Sequence, residues 1–325
     1  MSSPRPADAP RGPGGGPLRV QVGILTFRRP ALLATLLPQV LTQVEELRAW
    51  TQGPAGVLVV DNDPDGSAGE VCAALADVRY VLEPTPGIPA GRHRALEESA
   101  DWDLLQFIDD DEEPAPAWLV TMVRAWAEHD RPVVVAGSVR TRYLTPPSPW
   151  ILAGQFFERR QPATGTPLDV AASGNMLIDV PAVRRLGVQF DRDLGLHGGS
   201  DTLFSQDVHR AGGRLIACRE GAIYDLVPPE HSNRRWALQR AWHLGQSRSF
   251  MALYAEKSPS RRWRMRVRLL LGGVVRFAQG CLQTGLGLVL RHDRLHARGL
   301  RWVHRARGVM AGAVGEATPK YPRES

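Results

Sequence analysis

The chain is poor in cysteine: only Cys72, Cys218 and Cys281 occur among 325 residues. They stand far apart without CxxC spacing, which excludes a disulfide framework or a cysteine-built zinc site and fits a reducing compartment. The N-terminal stretch MSSPRPADAPRGPGGGP lacks an apolar segment, so no cleavable signal peptide is expected. No internal repeat is present. The longest apolar run, Leu269–Leu290, is broken by Arg276, Gln279 and Gln283, which argues against a spanning helix. What remains is ordinary globular composition, 43% hydrophobic and 23% charged, which excludes a wholly disordered or collagen-like chain. The length suffices for a sizeable core, as one large domain or two smaller ones.

A uniform basic excess is also missing. The net charge is +6, yet the segment from Glu256 onward holds fifteen Lys+Arg against four Asp+Glu, so the first 255 residues are net negative. A nucleic-acid partner is therefore not expected. The pattern predicts a basic attachment surface beside a mildly acidic catalytic body.

Apolar runs alternate with helical patterns from residue 18 onward. Strands are predicted at Leu18–Phe27, Gly56–Asn62, Val78–Leu82, Leu104–Ile108 and Val133–Tyr143. Helices are predicted between them at Pro30–Trp50, Ser67–Asp77, Pro89–Ala100 and Pro116–His129. Such alternation gives an α/β fold with a mostly parallel sheet. Arg29-Pro30 and the acidic run Asp110–Pro114 are read as helix starts. The pattern loosens over 144–170, then gives a strand at Val170–Val180, a helix at Asp201–Gly212 and a strand pair over Arg214–Val227. Helices at Asn233–Glu256 and Arg262–Arg291 precede a basic tail. The expected division is a disordered tail (1–17), a catalytic domain (18–257) and a basic amphipathic helical extension (258–325).

Four segments carry chemistry. Leu104–Ile108 runs into Asp109, Asp110, Asp111 and Glu112 at the strand end where ligands of open α/β sheets bind. Acids crowded there repel unless a cation neutralises them, and oxygen ligands suit Mg2+ or Mn2+. Asp109 and Asp111, at alternate positions of an extended stretch, point the same way. Glu112 and Glu113 fit instead the plainer reading of an acidic helix N-terminus. Val57–Val60 ends similarly in Asp61-Asn62-Asp63, where turn chemistry competes with contact to a base or ribose. Pro86–Arg94 opens a helix with glycines and Arg92, a candidate anion contact beside the bland reading of a solvated helix face. His197–Phe204 opens another, where Ser200 or Asp201 serves as a helix cap or Asp201 as a general base.

Together these segments, with Val22–Pro30 and the later Trp236, Arg240 and Gly245-Gln246-Ser247, resemble family 2 glycosyltransferases of the inverting GT-A fold. The resemblance spans about residues 18–257 and is nearest to the succinoglycan-type β-glucosyltransferases of exopolysaccharide synthesis. It implies a Rossmann-like sheet flanked by helices and a nucleotide-diphosphate sugar donor, a UDP-sugar first. It also implies a saccharide, lipid-linked or small-molecule acceptor, and Mn2+ or Mg2+ as cofactor. By the same resemblance Thr26 and Arg28 line the nucleotide pocket, Asp61 and Arg92 contact the base half of the donor, and Asp109 and Asp110 face the donor. Asp111 holds the metal and Asp201 is the catalytic base. The family usually has Glu before that base, where this chain has Ser200. It usually has Arg in the loop where this chain has His231, a candidate phosphate or metal contact. The rival readings are a sugar nucleotidyltransferase, which would want a glycine-rich basic loop where Thr26–Pro30 stands, and a non-catalytic carbohydrate-binding or assembly domain. The basic, Trp-containing stretch 261–291 predicts peripheral contact with the cytoplasmic face of a membrane, or else an ordinary helix covering the catalytic domain.

Overall fold

The computed structural model describes residues 9–196 and 198–315. Strands β1 (Val20–Thr26), β2 (Ala55–Asp61) and β4 (Leu104–Asp109) are apolar at nearly every position and buried on both faces. Such runs form the centre of a parallel sheet covered by helices. β1 pairs in parallel with both β2 and β4, and β2 with β3 (Val78–Leu82). The register sets Thr26 beside Asp61 and Leu25 beside Asp109, so three strands end level at one edge. The connecting helices are α1 (Pro30–Thr51), α2 (Gly69–Ala73) and α3 (Ile88–Glu98). α1 buries Leu33, Leu36, Leu37, Val40, Val44 and Leu47, the one-face spacing of an amphipathic helix.

Beyond β4 the sheet turns antiparallel. β5 (Glu112–Pro114), α4 (Trp118–Glu128) and β6 (Val134–Tyr143) follow, then α5 (Pro149–Gly154), β7 (Met176–Asp179), α6 (Val180–Leu186), α7 (Ser200–Arg210) and β8 (Leu215–Val227). The eight strands lie in the order β3-β2-β1-β4-β7-β6-β8-β5. Asn175, wholly buried, knits this half together. Its amide donates to the carbonyls of Ser138 and Gly221, and its oxygen accepts from Trp118 Nε1 and Gln106 Nε2. All of its polar capacity is used without water.

The structure departs from the sequence expectations at four places. Asp110–Pro114 does not open a helix: Glu112–Pro114 pairs with β8, and α4 starts at Trp118 after a left-handed Ala117. Only Met176–Asp179 of the predicted 170–180 strand pairs, because a short 3-10 turn places Asn175 in its network. The predicted strand pair over 214–227 is one strand. The basic tail of the expected helical extension forms α10 (Asp293–Val314). Residues 11–17 of the expected disordered tail fold back, with Arg11 bridged to Pro17 and bonded to the Gly15 carbonyl, while residues 1–8 lie outside the described residues.

The chain divides into two compact units, one of residues 9–140, 159–196 and 200–225 and one of 141–158, 198–199 and 226–315. The second therefore takes in α8 (Arg234–Tyr254), α9 (Pro259–Val289) and α10, with α5, and differs from the division at residue 257 expected from sequence. Its core is Trp150, Ile151, Phe156, Phe157, Ala237, Ala241 and Ala297. Glycines bring its helices to backbone contact: a methyl on Gly308 would lie 2.0 Å from the Trp242 carbonyl oxygen. Among the described residues no helix is long and apolar enough to cross a membrane.

Candidate active site

The level ends of β1, β2 and β4 gather most of the sequence-predicted residues in the first unit. Asp109 closes β4, and Asp110 and Asp111 form the turn into β5, so the alternation assumed for Asp109 and Asp111 is replaced by a turn. The three carboxylates have different surroundings. Asp110 is buried and accepts a 2.8 Å hydrogen bond from Thr26 Oγ1. Asp111 is half exposed, and Arg29 bridges it to Asp110 at 3.0 and 3.2 Å. Asp109 lies 3.7 Å from Arg92, and its backbone N–H donates to the buried Glu112 carboxylate. Gly174 allows that packing, since a methyl there would lie 2.7 Å from Glu112 Oε1.

The electrostatics are those of crowded acids. Desolvation, then repulsion from Asp111, pushes the Asp110 carboxyl up to about 6 against the pull of Thr26 and Arg29. Desolvation likewise raises Asp109, helped by Asp111 and Asp201 and opposed by Arg92, and it raises Glu112 well above the usual range with Asp109 adding to it. Each acid thus resists ionisation, and a cation in the cluster would relieve all of them. Among the described residues no group of three or more His, Cys, Asp or Glu forms a ready cage. An oxygen set of one or two carboxylates fits the way Mg2+ and Mn2+ are held jointly with substrate phosphates.

Asp201 sits in the first turn of α7, and its charge is felt at Asp109, so the helix start faces the β4 turn. Between them lies Arg92, buried on α3. Its Nη1 donates to the buried Ser200 hydroxyl at 2.8 Å, and its Nε is buried with no partner. The neutral Ser200 hydroxyl thus leaves the Arg92 charge to Asp109 and to whatever enters the site. Asp61 is differently placed. It is wholly buried and accepts from the N–H groups of Asp63 and Ala68 and from the Tyr80 hydroxyl. Arg28 holds a left-handed backbone, φ 54°, and pairs with Asp63 and Asp65. Asn62 clamps the opposite loop through the carbonyls of Glu83 and Thr85 and the N–H of Gly87. Gly87 takes φ 117°, which an L side chain rarely adopts.

His231 belongs to the second unit, where its ring stacks on Trp236 at 4.4 Å between centroids. The structure therefore does not gather it with the carboxylates inside one unit. Sequence reasoning missed Arg29, counter-ion of Asp110 and Asp111, and Arg159, which pairs with Asp225 at 2.8 Å and is felt electrostatically at Asp109 and Glu112. Arg29 stood in the open beside Arg28, but no one-dimensional pattern ties it to residues eighty positions away.

Known proteins agree with this architecture. The glycosyl transferase family 2 model matches residues 21–187. The succinoglycan biosynthesis protein ExoM of Rhizobium meliloti is 30% identical over 246 residues, covering 74% of this chain and 77% of that protein. The mannosyltransferase PcManGT from Pyrobaculum calidifontis, solved with GDP-Man and Mn2+, has a TM-score of 0.55 at 18% identity, covering 93% of this chain and 89% of its own. GalNAc-T7, solved with UDP, GalNAc and Mn2+, has a TM-score of 0.51 at 12% identity, covering 73% of this chain and 50% of its own. At such identities the solved structures speak to the fold alone. With the family model covering half of its length and a 30% identical relative aligned over about three quarters of both proteins, the chain belongs to glycosyl transferase family 2 and is a glycosyltransferase of GT-A fold.

Proposed function

We propose that the enzyme moves a hexose from a nucleotide-diphosphate donor, a UDP-sugar first, to a hydroxyl of a saccharide acceptor and inverts the anomeric centre. The observation that carries this reading is the meeting of Asp201 with the Asp109–Asp111 turn, ninety residues away in sequence, across a buried arginine with an unpartnered Nε. The name of ExoM, a succinoglycan biosynthesis protein, supports a lipid-linked saccharide of a polysaccharide pathway as acceptor over a small metabolite.

In this proposal Asp111, with Asp109 beside it, holds Mg2+ or Mn2+. The cation supplies neutralisation of the charge that builds on the leaving diphosphate. Arg29 keeps Asp111 and Asp110 compensated when no cation is bound. Arg92 Nε donates to an anionic donor oxygen, while its Nη1 stays on Ser200. Thr26, Arg28 and Asp61 shape the nucleotide pocket, Asp61 from behind as the clamp of the loop after β2. Asp201 accepts the proton of the acceptor hydroxyl as that oxygen attacks the face opposite the leaving group. One displacement inverts the centre, and no second carboxylate nucleophile is required.

The test is nucleoside diphosphate release from UDP-, GDP- and dTDP-sugars with Mn2+ or Mg2+, with lipid-linked and small-molecule acceptors. Turnover of one donor, abolished by Asp111→Ala and by Asp201→Asn while the latter still binds nucleotide, supports the reading. Turnover that survives Asp201→Asn removes the base assignment, and retention of configuration in the product removes the single displacement.

A further inference from the structure

The second unit carries a surface that the transfer reaction does not use. α9 is 31 residues long, about 46 Å at the helical rise. Its inner face is a glycine seam, Gly273, Gly280 and Gly287, one every seven residues and all buried. A methyl on Gly280 would meet the backbone of Val303 and Gly299 on α10 at 2.9 and 3.0 Å, so the two helices lie in backbone contact and α9 is a stiff rod. Its outer face is apolar and open. Leu271, Leu282 and Val289 are 64, 67 and 81% exposed, with Val275 and Leu286 between them. At about 100° per residue these five fall within roughly 60° of one another, and Arg264 and Arg268 continue the same stripe toward the N-terminus. Arg261 borders it, and Arg262 and Trp263 are exposed on other faces of the same first turn. α9 contains no Asp or Glu.

We propose that this stripe docks on an anionic phospholipid surface, with α9 lying in the plane of the interface. An exposed apolar stripe of this length, on a unit with no membrane-crossing helix among its described residues, marks an interaction surface. Charge decides the occupant. A second copy packed parallel would set arginine against arginine, and packed antiparallel would set arginine against leucine, with no acid on either helix to compensate. Anionic headgroups supply the missing charge along Arg261–Arg268, and the acyl boundary takes the leucines and valines. Arg276 does not oppose this, because it lies off the stripe with its guanidinium over the Trp302 ring, 5.6 Å from the centroid. The inference does not depend on which sugar or acceptor is used.

Cys281 provides a built-in probe, exposed on α9 while Cys72 and Cys218 are buried. The full chain is labelled there with a polarity-sensitive thiol dye and titrated with phosphatidylethanolamine vesicles containing phosphatidylglycerol, or with phosphatidylcholine vesicles. The expected result is a blue shift and co-sedimentation with the first and not the second. Leu271→Asp with Leu282→Asp should weaken partitioning at least about tenfold. Arg261, Arg262, Arg264 and Arg268 changed together to Gln should weaken it about a hundredfold or more. Far-UV circular dichroism and nucleotide binding should be unchanged, because every altered side chain faces solvent. Absence of binding to anionic vesicles by the unaltered chain would overturn the proposal. So would equal binding by both variants, or a concentration-dependent dimer that the leucine variant dissolves while vesicle binding stays intact. Quenching by brominated lipid that is lost in Trp263→Phe gives a second readout with no charge introduced into the stripe.

Discussion

Two apolar strands of the same sheet, β2 and β4, end in aspartates at the same edge, and their fates are opposite. Asp61 is wholly buried and its two oxygens take three donors, so its charge is satisfied by the loop it anchors. The hydroxyl of Tyr80 is pushed up to about 12, by burial first and then by the Asp61 charge, and so stays a donor. Asp109–Asp111 face one another with two arginines and too few donors, and burial drives Asp109 and Asp110 toward the neutral form. The first strand end spends its acid on architecture. The second keeps its acids unsatisfied, which costs stability and leaves a place for a cation and a charged ligand.

The largest expected effects break this comparison at the reacting groups. Asp201→Asn should lower turnover by about a thousandfold, as loss of a general base does, with little change in melting temperature. Asp111→Ala should abolish metal-dependent turnover and leave the protein as stable as before or more so, since it removes a repelling charge. Asp61→Ala should do the reverse. It strands two buried N–H groups and a tyrosine hydroxyl, at a cost of about 4 kcal/mol, read by denaturant unfolding. If Asp61→Ala instead melted normally and lost nucleotide affinity, Asp61 would be a ligand contact and the two strand ends would be alike.

A smaller effect concerns pH. Asp110 ionises at about 6 in the folded protein and near the ordinary aspartate value when unfolded, so the native state holds the extra proton between them. Stability attached to this group is therefore gained as pH falls through that window and lost as pH rises through about 6. Metal-free protein should be more stable at about pH 5 than at about pH 8, by about 1.4 kcal/mol from this group. Mn2+ at the higher pH should recover much of the difference, which differential scanning fluorimetry reads directly.

The parallel half of the fold was legible because buried-strand runs alternate with amphipathic helices, and each of β1 to β4 follows its predicted strand to within two residues. The antiparallel half was legible only in part. Glu112–Pro114 looks like a helix start by composition, and its pairing with Asp225–Ile223 is a contact across more than a hundred residues that local chemistry does not announce. Asn175 is similar: one polar residue in an apolar stretch gives no sign of the four groups it joins. In the site, the acids were visible because they end apolar strands. Which of them is clamped and which is left open was not, because that depends on Tyr80, Ala68, Arg29 and Arg92 arriving from other elements.

The finest test of the comparison is Thr26→Val, which keeps the shape of a buried side chain and removes one hydroxyl. Thr26 Oγ1 is the donor that favours the ionised form of Asp110, at 2.8 Å. Its loss should cost about 1 kcal/mol where Asp110 is charged, and less where Asp110 is protonated and no longer needs that donor. The stability gap between the two proteins should therefore widen as pH rises through about 6 and narrow below it. Tyr80→Phe on the β2 side removes a donor from Asp61, which the Asp63 and Ala68 N–H groups still hold, so its gap should stay flat over the same range. A flat gap for Thr26→Val would mean that Asp110 is already charged throughout, with Arg29 rather than Thr26 holding it. The strain assigned to the β4 turn would then have to reside in Asp109 and Glu112 alone.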